Sequence, residues 1–226
     1  MHRPITITVL LSIVLVAAAL AGCSTDNQKA PAIAGECETI FAQMFPEFDF
    51  THYEGNYART AAGETFFIER ITFGEFIAEQ QMMVLVRRPA DELAHAQGFY
   101  NAYLAVFNVH DGKMVTPVLH CVADEGAMQI FSGQRHNYLF FAGSTTYQGW
   151  SSWDGALYRI TATAWEKVWP EASDWENRAV QIGQDRLLVY RMELLPRENT
   201  LIPDCRYVLD MELVWNAADE CFIACQ

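Results

Sequence analysis

Lysine is the residue this chain most conspicuously lacks. Only Lys29, Lys113 and Lys167 occur in 226 residues, and 28 acidic side chains face 15 basic ones, for a formal net charge of −13. A chain this poor in positive charge has no basic face for a phosphate backbone or an anionic headgroup layer, which argues against nucleic acid and anionic lipid surfaces as partners. The acids are scattered rather than blocked, the pattern of a solvated surface rather than an acidic docking patch. Several catalytic and ligand-binding signatures are also missing. There is no GxSxG elbow, P-loop, dinucleotide GxGxxG, EF-hand loop, HExxH or HxH. The sequence therefore assigns no catalytic residue, cofactor or metal site. His110 and His120 are placed to face each other across the Asp111-Gly112 turn, with Cys121 adjacent, but no carboxylate motif completes a ligand set.

What the chain has is concentrated first at its start. Arg3 provides a positive n-region, and Ile5 to Leu20 is apolar apart from Thr6, Thr8 and Ser12. That run is short for a membrane-spanning helix, which needs about 20 residues, and it has the three-part order of an export signal. It ends in Leu20-Ala21-Gly22-Cys23. This tetrad resembles the lipobox of bacterial lipoproteins. The resemblance covers residues 1–23 alone. It implies that residues 1–22 are a signal peptide and that Cys23 is lipidated and becomes the first mature residue. Acyl chains on Cys23 then supply the membrane anchor. It also implies an extracytoplasmic location, and Ser24 in place of the inner-membrane retention Asp permits outer-membrane sorting where an outer membrane exists. The leader holds one base and no acid, so its removal makes the chain more negative still. Ser24 to Ala34 is small, polar and Pro-containing, the composition of a flexible tether. The organisation expected is a tether over residues 23–35 and a single β-rich domain over 36–226.

Beyond Cys23 lie Cys37, Cys121, Cys205, Cys221 and Cys225. An exported protein reaches a compartment where disulfides form, and an odd number leaves at least one thiol. Cys221 and Cys225 on an extended strand would stand about 13 Å apart, too far to bridge each other. The alternative is that the cysteines serve as small buried hydrophobes.

The body reads as mainly β. Glu36–Phe45 has a helical apolar face (Ile40, Phe41, Met44, Phe45) stopped by Pro46, and a loop is expected over His52–Gly63. Strands are predicted at Phe66–Thr72, Gln81–Arg87, Tyr103–Val109, Lys113–Leu119, Tyr138–Ala142, Leu157–Thr161, Leu187–Met192 and Tyr207–Trp215. Asp111-Gly112 marks a hairpin turn, and Ala90–Gly98 is the one internal stretch that suits a helical turn. A weak repeat runs through these strands. Leu104–Phe107 before Lys113–Pro117 returns 53 residues later as Leu157–Ile160 before Lys167–Pro170. Gln129-Ile130, Gly133-Gln134 and Tyr138–Phe141 return as Gln181-Ile182, Gly183-Gln184 and Leu188–Arg191. Val84–Arg87 reads as an earlier copy and Tyr207–Ile223 as a later hairpin. Such a period suggests one small antiparallel sheet per repeat. The fold expected is antiparallel, with propeller-like repeated hairpins but too few copies for a closed propeller. A β-sandwich or rolled sheet is the alternative.

All six tryptophans lie in the last third. The densest polar-aromatic stretch, Gly143–Gly155, is expected to be a long hairpin connection. Within it, Tyr147, Gln148, Trp150 and Trp153 are candidate ligand-binding residues. Flat rings cover apolar C–H faces while hydroxyl and amide neighbours take hydrogen bonds, which suits a glycan or peptide. The competing reading folds these rings inward as packing. The acidic doublets Asp124-Glu125 and Asp219-Glu220 look like turns. The function expected is an envelope-anchored lipoprotein with a binding or interaction domain, its partners being the membrane through Cys23 and a glycan, peptide or envelope protein. The alternatives are a lipid-anchored hydrolase acting on a glycan and a structural accessory lipoprotein.

Overall fold

A computed structural model describes residues 34–89, 100–122, 125–147, 150–169, 178–195 and 204–225. Helix α1 spans Ala34–Met44, close to the predicted limits. Cys37, Ile40, Phe41 and Met44 recur at helical spacing and are all buried, together with Phe45 just beyond the helix. Pro46, which cannot continue the ladder, follows.

The remaining regular elements of the described chain are strands. A six-stranded first sheet runs in sequence order through β1 (Phe50–Glu54), β2 (Tyr57–Thr60), β3 (Thr65–Gly74), β4 (Gln81–Pro89), β5 (Tyr100–Asn108) and β6 (Leu119–Val122). The second contains β7 (Glu125–Ser132), β8 (Asn137–Tyr147), β9 (Trp150–Ile160) and β10 (Trp165–Trp169). The third contains β11 (Arg178–Ile182), β12 (Arg186–Leu195), β13 (Asp204–Asn216) and β14 (Cys221–Ala224). Every pairing between these strands is antiparallel. The fold is mainly β, as expected, and among the described residues no closed barrel forms.

The internal repeat is the meander itself. β8 and β12, each the second strand of a four-stranded sheet, hold the Tyr138–Phe141 and Leu188–Arg191 copies, and β4, the fourth strand of six, holds Val84–Arg87. Leu104–Phe107 and Leu157–Ile160 fall on the strands that follow β4 and β8 in their sheets, β5 and β9. The two glycine turns also match. Gly133 donates its N–H to the carbonyl of His136, and Gly183 donates to that of Arg186, both at 2.8 Å.

Alternation along the strands stacks the layers. On β4, Met82, Val84 and Val86 face a core shared with α1, while Met83 and Leu85 face the second sheet. On β8, Leu139 and Phe141 meet the first sheet, and Tyr138, Phe140 and Ala142 meet Val180, Leu187, Val189 and Leu213 of the third. Strands apolar on both faces are the signature of inner layers. The order of layers is therefore α1, first sheet, second sheet, third sheet. None of the three cores joins the third sheet back to the first.

Two local expectations fail. The segment His52–Gly63 is not a loop but carries most of the β1–β2 hairpin, with Glu54 opposite Tyr57 and Gly55 at φ +58° in the turn. Its polar residues hide the pattern, and glycine alone takes that φ without strain. The Asp111-Gly112 turn is present, with Gly112 N–H bonded to Asn108 O at 3.0 Å, but Lys113–Leu119 is not a strand. Met114 makes a single bridge to Phe107. Val115 N–H then bonds Val106 O at 2.8 Å, and the buried Thr116 hydroxyl accepts from Val106 N–H at 3.0 Å. Pro117 has no N–H to extend the ladder, and β6 begins only at Leu119.

Candidate functional site

The aromatic stretch Gly143–Gly155 is not the long connection expected. β8 runs through Tyr147 and β9 starts at Trp150, with Tyr147 opposite Trp150 and Ser144 opposite Trp153. Gln148 lies outside the described residues, as do Cys23 and the segment Ala90–Gly98. Trp150 and Trp153 are three positions apart on one strand, an odd spacing in a period of two.

A concave site forms at the other end of β8, about 33 Å away along the strand. Three turns converge there: Phe76 and Ile77 before β4, Gly133–Asn137 between β7 and β8, and Thr161-Ala162 after β9. They enclose about 400 Å³, at the small end of ligand pockets. Side-chain hydrogen bonds hold each wall. The Gln81 side-chain oxygen accepts from Ile77 and Ala78 N–H at 2.8 and 3.0 Å. Asn137 donates to the carbonyls of Glu75 and Phe76 at 2.7 and 3.1 Å. The Thr161 hydroxyl donates to Ala164 O at 2.9 Å and accepts from its N–H at 3.0 Å.

Behind the β7–β8 turn sits Glu220, on the β13–β14 turn at φ +53°. Its carboxylate accepts from Arg135 N–H at 2.6 Å, His136 N–H at 3.1 Å and the Tyr138 hydroxyl at 2.8 Å. A Cβ on Gly133 would lie 2.6 Å from this carboxylate, so only glycine leaves it room. The Trp215 indole adds a bond to Ser132 O at 2.8 Å. The backbone bond from Arg135, followed by those from Tyr138 and His136, holds the Glu220 carboxyl down to about 2 from 4.5. Burial, and then its bond to Glu220, pushes the Tyr138 hydroxyl up to about 12.

Glu220 is therefore ionised and committed to clasping the second sheet to the third. With its folded pKa below the unfolded one, its stabilisation is complete above pH 4.5 and is lost as the pH falls through about 2. Glu220→Gln should flatten the acid limb of stability between those values. Urea unfolding midpoints across that range check this, and an unchanged limb would show that the clasp contributes nothing.

The pocket lining offers Gln134, Arg135, His136 and Asn137 and no carboxylate. It suits a small polar or anionic group, and it holds no nucleophile with a base. Among the described residues, no three His, Cys, Asp or Glu side chains gather to hold a metal. His120 does not face His110. It pairs with Tyr103 across β5–β6, stacks on that ring at 4.7 Å and 12°, and its Nε2 donates to Asn101 Oδ1 at 2.8 Å. Burial, then the charge of Arg88, lowers its pKa. Cys37 is buried in the core under α1, whereas Cys221 and Cys225 are exposed free thiols that do not bridge each other. Trp165, Trp169 and Trp215 pack between sheets. Sequence reading missed the pocket and the clasp. The one signal that bore on them was the recurrent glycine, Gly133 and Gly183, at equivalent turns. Comparison with family models, curated proteins and solved structures finds no match for this chain.

Proposed function

We propose that this protein is an envelope lipoprotein, lipidated at Cys23, whose β body is a binding or interaction module on the extracytoplasmic side. The lipobox at the end of the apolar leader carries this reading. The layered body supports it, because a stack of meanders presents many turns on a rigid frame. Among the described residues, no helix is long and apolar enough to cross a membrane. The ligand-contacting part is the tip of β8–β9, with Tyr147, Gln148, Trp150 and Trp153 meeting a glycan or peptide. A glycan hydrolase gains no support from the pocket, whose lining has no acid.

Two measurements test this. Cys23→Ala should abolish fatty-acid labelling and leave the protein unprocessed or released from membranes. A Cys23→Ala protein that still fractionates as mature, labelled membrane protein refutes the anchor. Trp150→Ala and Trp153→Ala should weaken retention on peptidoglycan fragments or glycan arrays while leaving the melting temperature nearly unchanged. Large melting losses with no ligand found would assign these rings to packing instead.

A further inference from the structure

The third sheet ends in an unprotected edge. β14 is the outermost strand of the order β11-β12-β13-β14, and its free side pairs with no strand among the described residues. Edge strands are usually blunted by charge or proline. β14 reads Cys-Phe-Ile-Ala and has neither.

Its register sorts its groups into two sets. Asn216, Val214 and Glu212 of β13 face Cys221, Ile223 and Cys225, and Cys225 N–H bonds Glu212 O at 2.9 Å. Antiparallel pairs alternate between bonded and non-bonded. Cys221, Ile223 and Cys225 therefore direct their backbone groups inward to β13, and Phe222 and Ala224 direct theirs to the open edge. Side chains divide the same way. Phe222 packs inward against Phe131, Trp169 and Trp215. Cys221, Ile223 and Cys225 are exposed on the outer face.

We propose that β14 is a homodimerisation edge, closed by two disulfides between Cys221 of one protomer and Cys225 of its partner. Set antiparallel to a second copy about a two-fold axis beside Ile223, β14 places each Cys221 opposite the partner's Cys225. Each Phe222 then stands opposite the partner's Ala224 and exchanges two backbone hydrogen bonds with it. The cysteine pairs fall at non-bonded positions, where Cα atoms are about 4.5 Å apart, inside the range a disulfide spans. This is the two-fold register that matches both cysteines at once. Centring on Cys221 or on Cys225 leaves the other thiol without a mate. The dimer also sets Ile223, 48 % exposed, against its own copy.

Each bond forms by thiol–disulfide exchange. Two thiols lose two protons and two electrons to become one S–S bond, and a disulfide oxidant is reduced to two thiols. Export supplies an oxidising compartment. The geometry does not depend on it, so the test below can fail while the lipoprotein reading stands, and the reverse.

The test uses the full chain purified in detergent and treated with oxidised glutathione. Wild type should run at twice its reduced monomer mass without reductant, return to monomer with dithiothreitol, and yield a peptide joining Cys221 to Cys225. Cys221→Ser alone and Cys225→Ser alone should each lose the linked dimer. Mixed in equal amounts, they should regain it, because one chain keeps Cys225 and the other Cys221. Exposed Cys→Ser changes leave the fold intact. A monomeric wild type, a linked dimer that persists in either single variant, or a mixture that stays monomeric overturns the proposal.

Discussion

Phe140→Ala is expected to destabilise the protein by about 3–5 kcal/mol, the cost of emptying a buried phenylalanine site. Phe140 is fully buried on the face of β8 that meets the third sheet, with Trp169 and Phe222 each at 6.3 Å between ring centroids. Among the described residues the second sheet alone has a sheet against both faces, so neither neighbour can move in without leaving its own partner. The cavity therefore persists. Gly155 makes the effect diagnostic. A Cβ there would lie 3.1 Å from the Phe140 ring, so Gly155→Ala should be destabilising in the wild type and tolerated beside Phe140→Ala. Urea midpoints of the four proteins complete the cycle. Additive losses would show that the ring does not restrict Gly155.

Glu69→Ala is expected to cost about 1.5–3 kcal/mol, the range for a hydrogen bond to a charged group. Arg87→Met should cost less than Glu69→Ala, because methionine fills the buried site with apolar volume and the acid it leaves behind is a third exposed to water. Arg87 is a β4 residue with a side chain 3 % exposed, and its guanidinium Nε donates to Glu69. Glu69 is a third exposed, which keeps the loss below that of a fully buried pair. Removing the acid strips a buried cation of one of its partners, whereas removing the cation leaves an acid that water can reach. Equal losses from the two changes would show that the pair acts through packing alone.

Glu69 also marks where sequence reading stops. Strands β3, β4, β5, β8, β9, β12 and β13 were legible because their apolar residues alternate or run together, and α1 because it repeats its apolar face at 3.6-residue spacing; the short, polar β1 and β2 were not. The Gln-Ile, Gly-Gln and aromatic-aliphatic repeat was visible as well, and it falls on equivalent strands of the second and third sheets. Glu69 is the extra residue where the β3–β4 register shifts between Ile68 and Arg70. A bulge re-aims one side chain and leaves no mark on alternation. Thr116 is similar, since its hydroxyl takes the place of a backbone partner that no propensity scale anticipates. The clasp was illegible for another reason. Glu220 and Arg135 are 85 positions apart, and turn residues of ordinary type reveal nothing of what they meet across sheets. The aromatic tip was read as connection because Ser, Thr and Gly dominate it, yet its ladder runs on to the Tyr147–Trp150 pair.

The place of α1 has a mechanical consequence. A pull applied from the N-terminal side reaches this helix before any of the described strands. The helix is held by the buried faces of Ile40, Phe41 and Met44 and by Gln43, whose amide donates to Gly112 O and accepts from Met114 N–H, both at 2.8 Å. Among the described residues, no ladder ties it to the sheet. Load from that end would therefore meet side-chain contacts that peel away turn by turn, rather than rows of backbone bonds sheared together. The three meanders would stay paired while the helix yields, so α1 would act as a mechanical fuse between the leading segment and the β body.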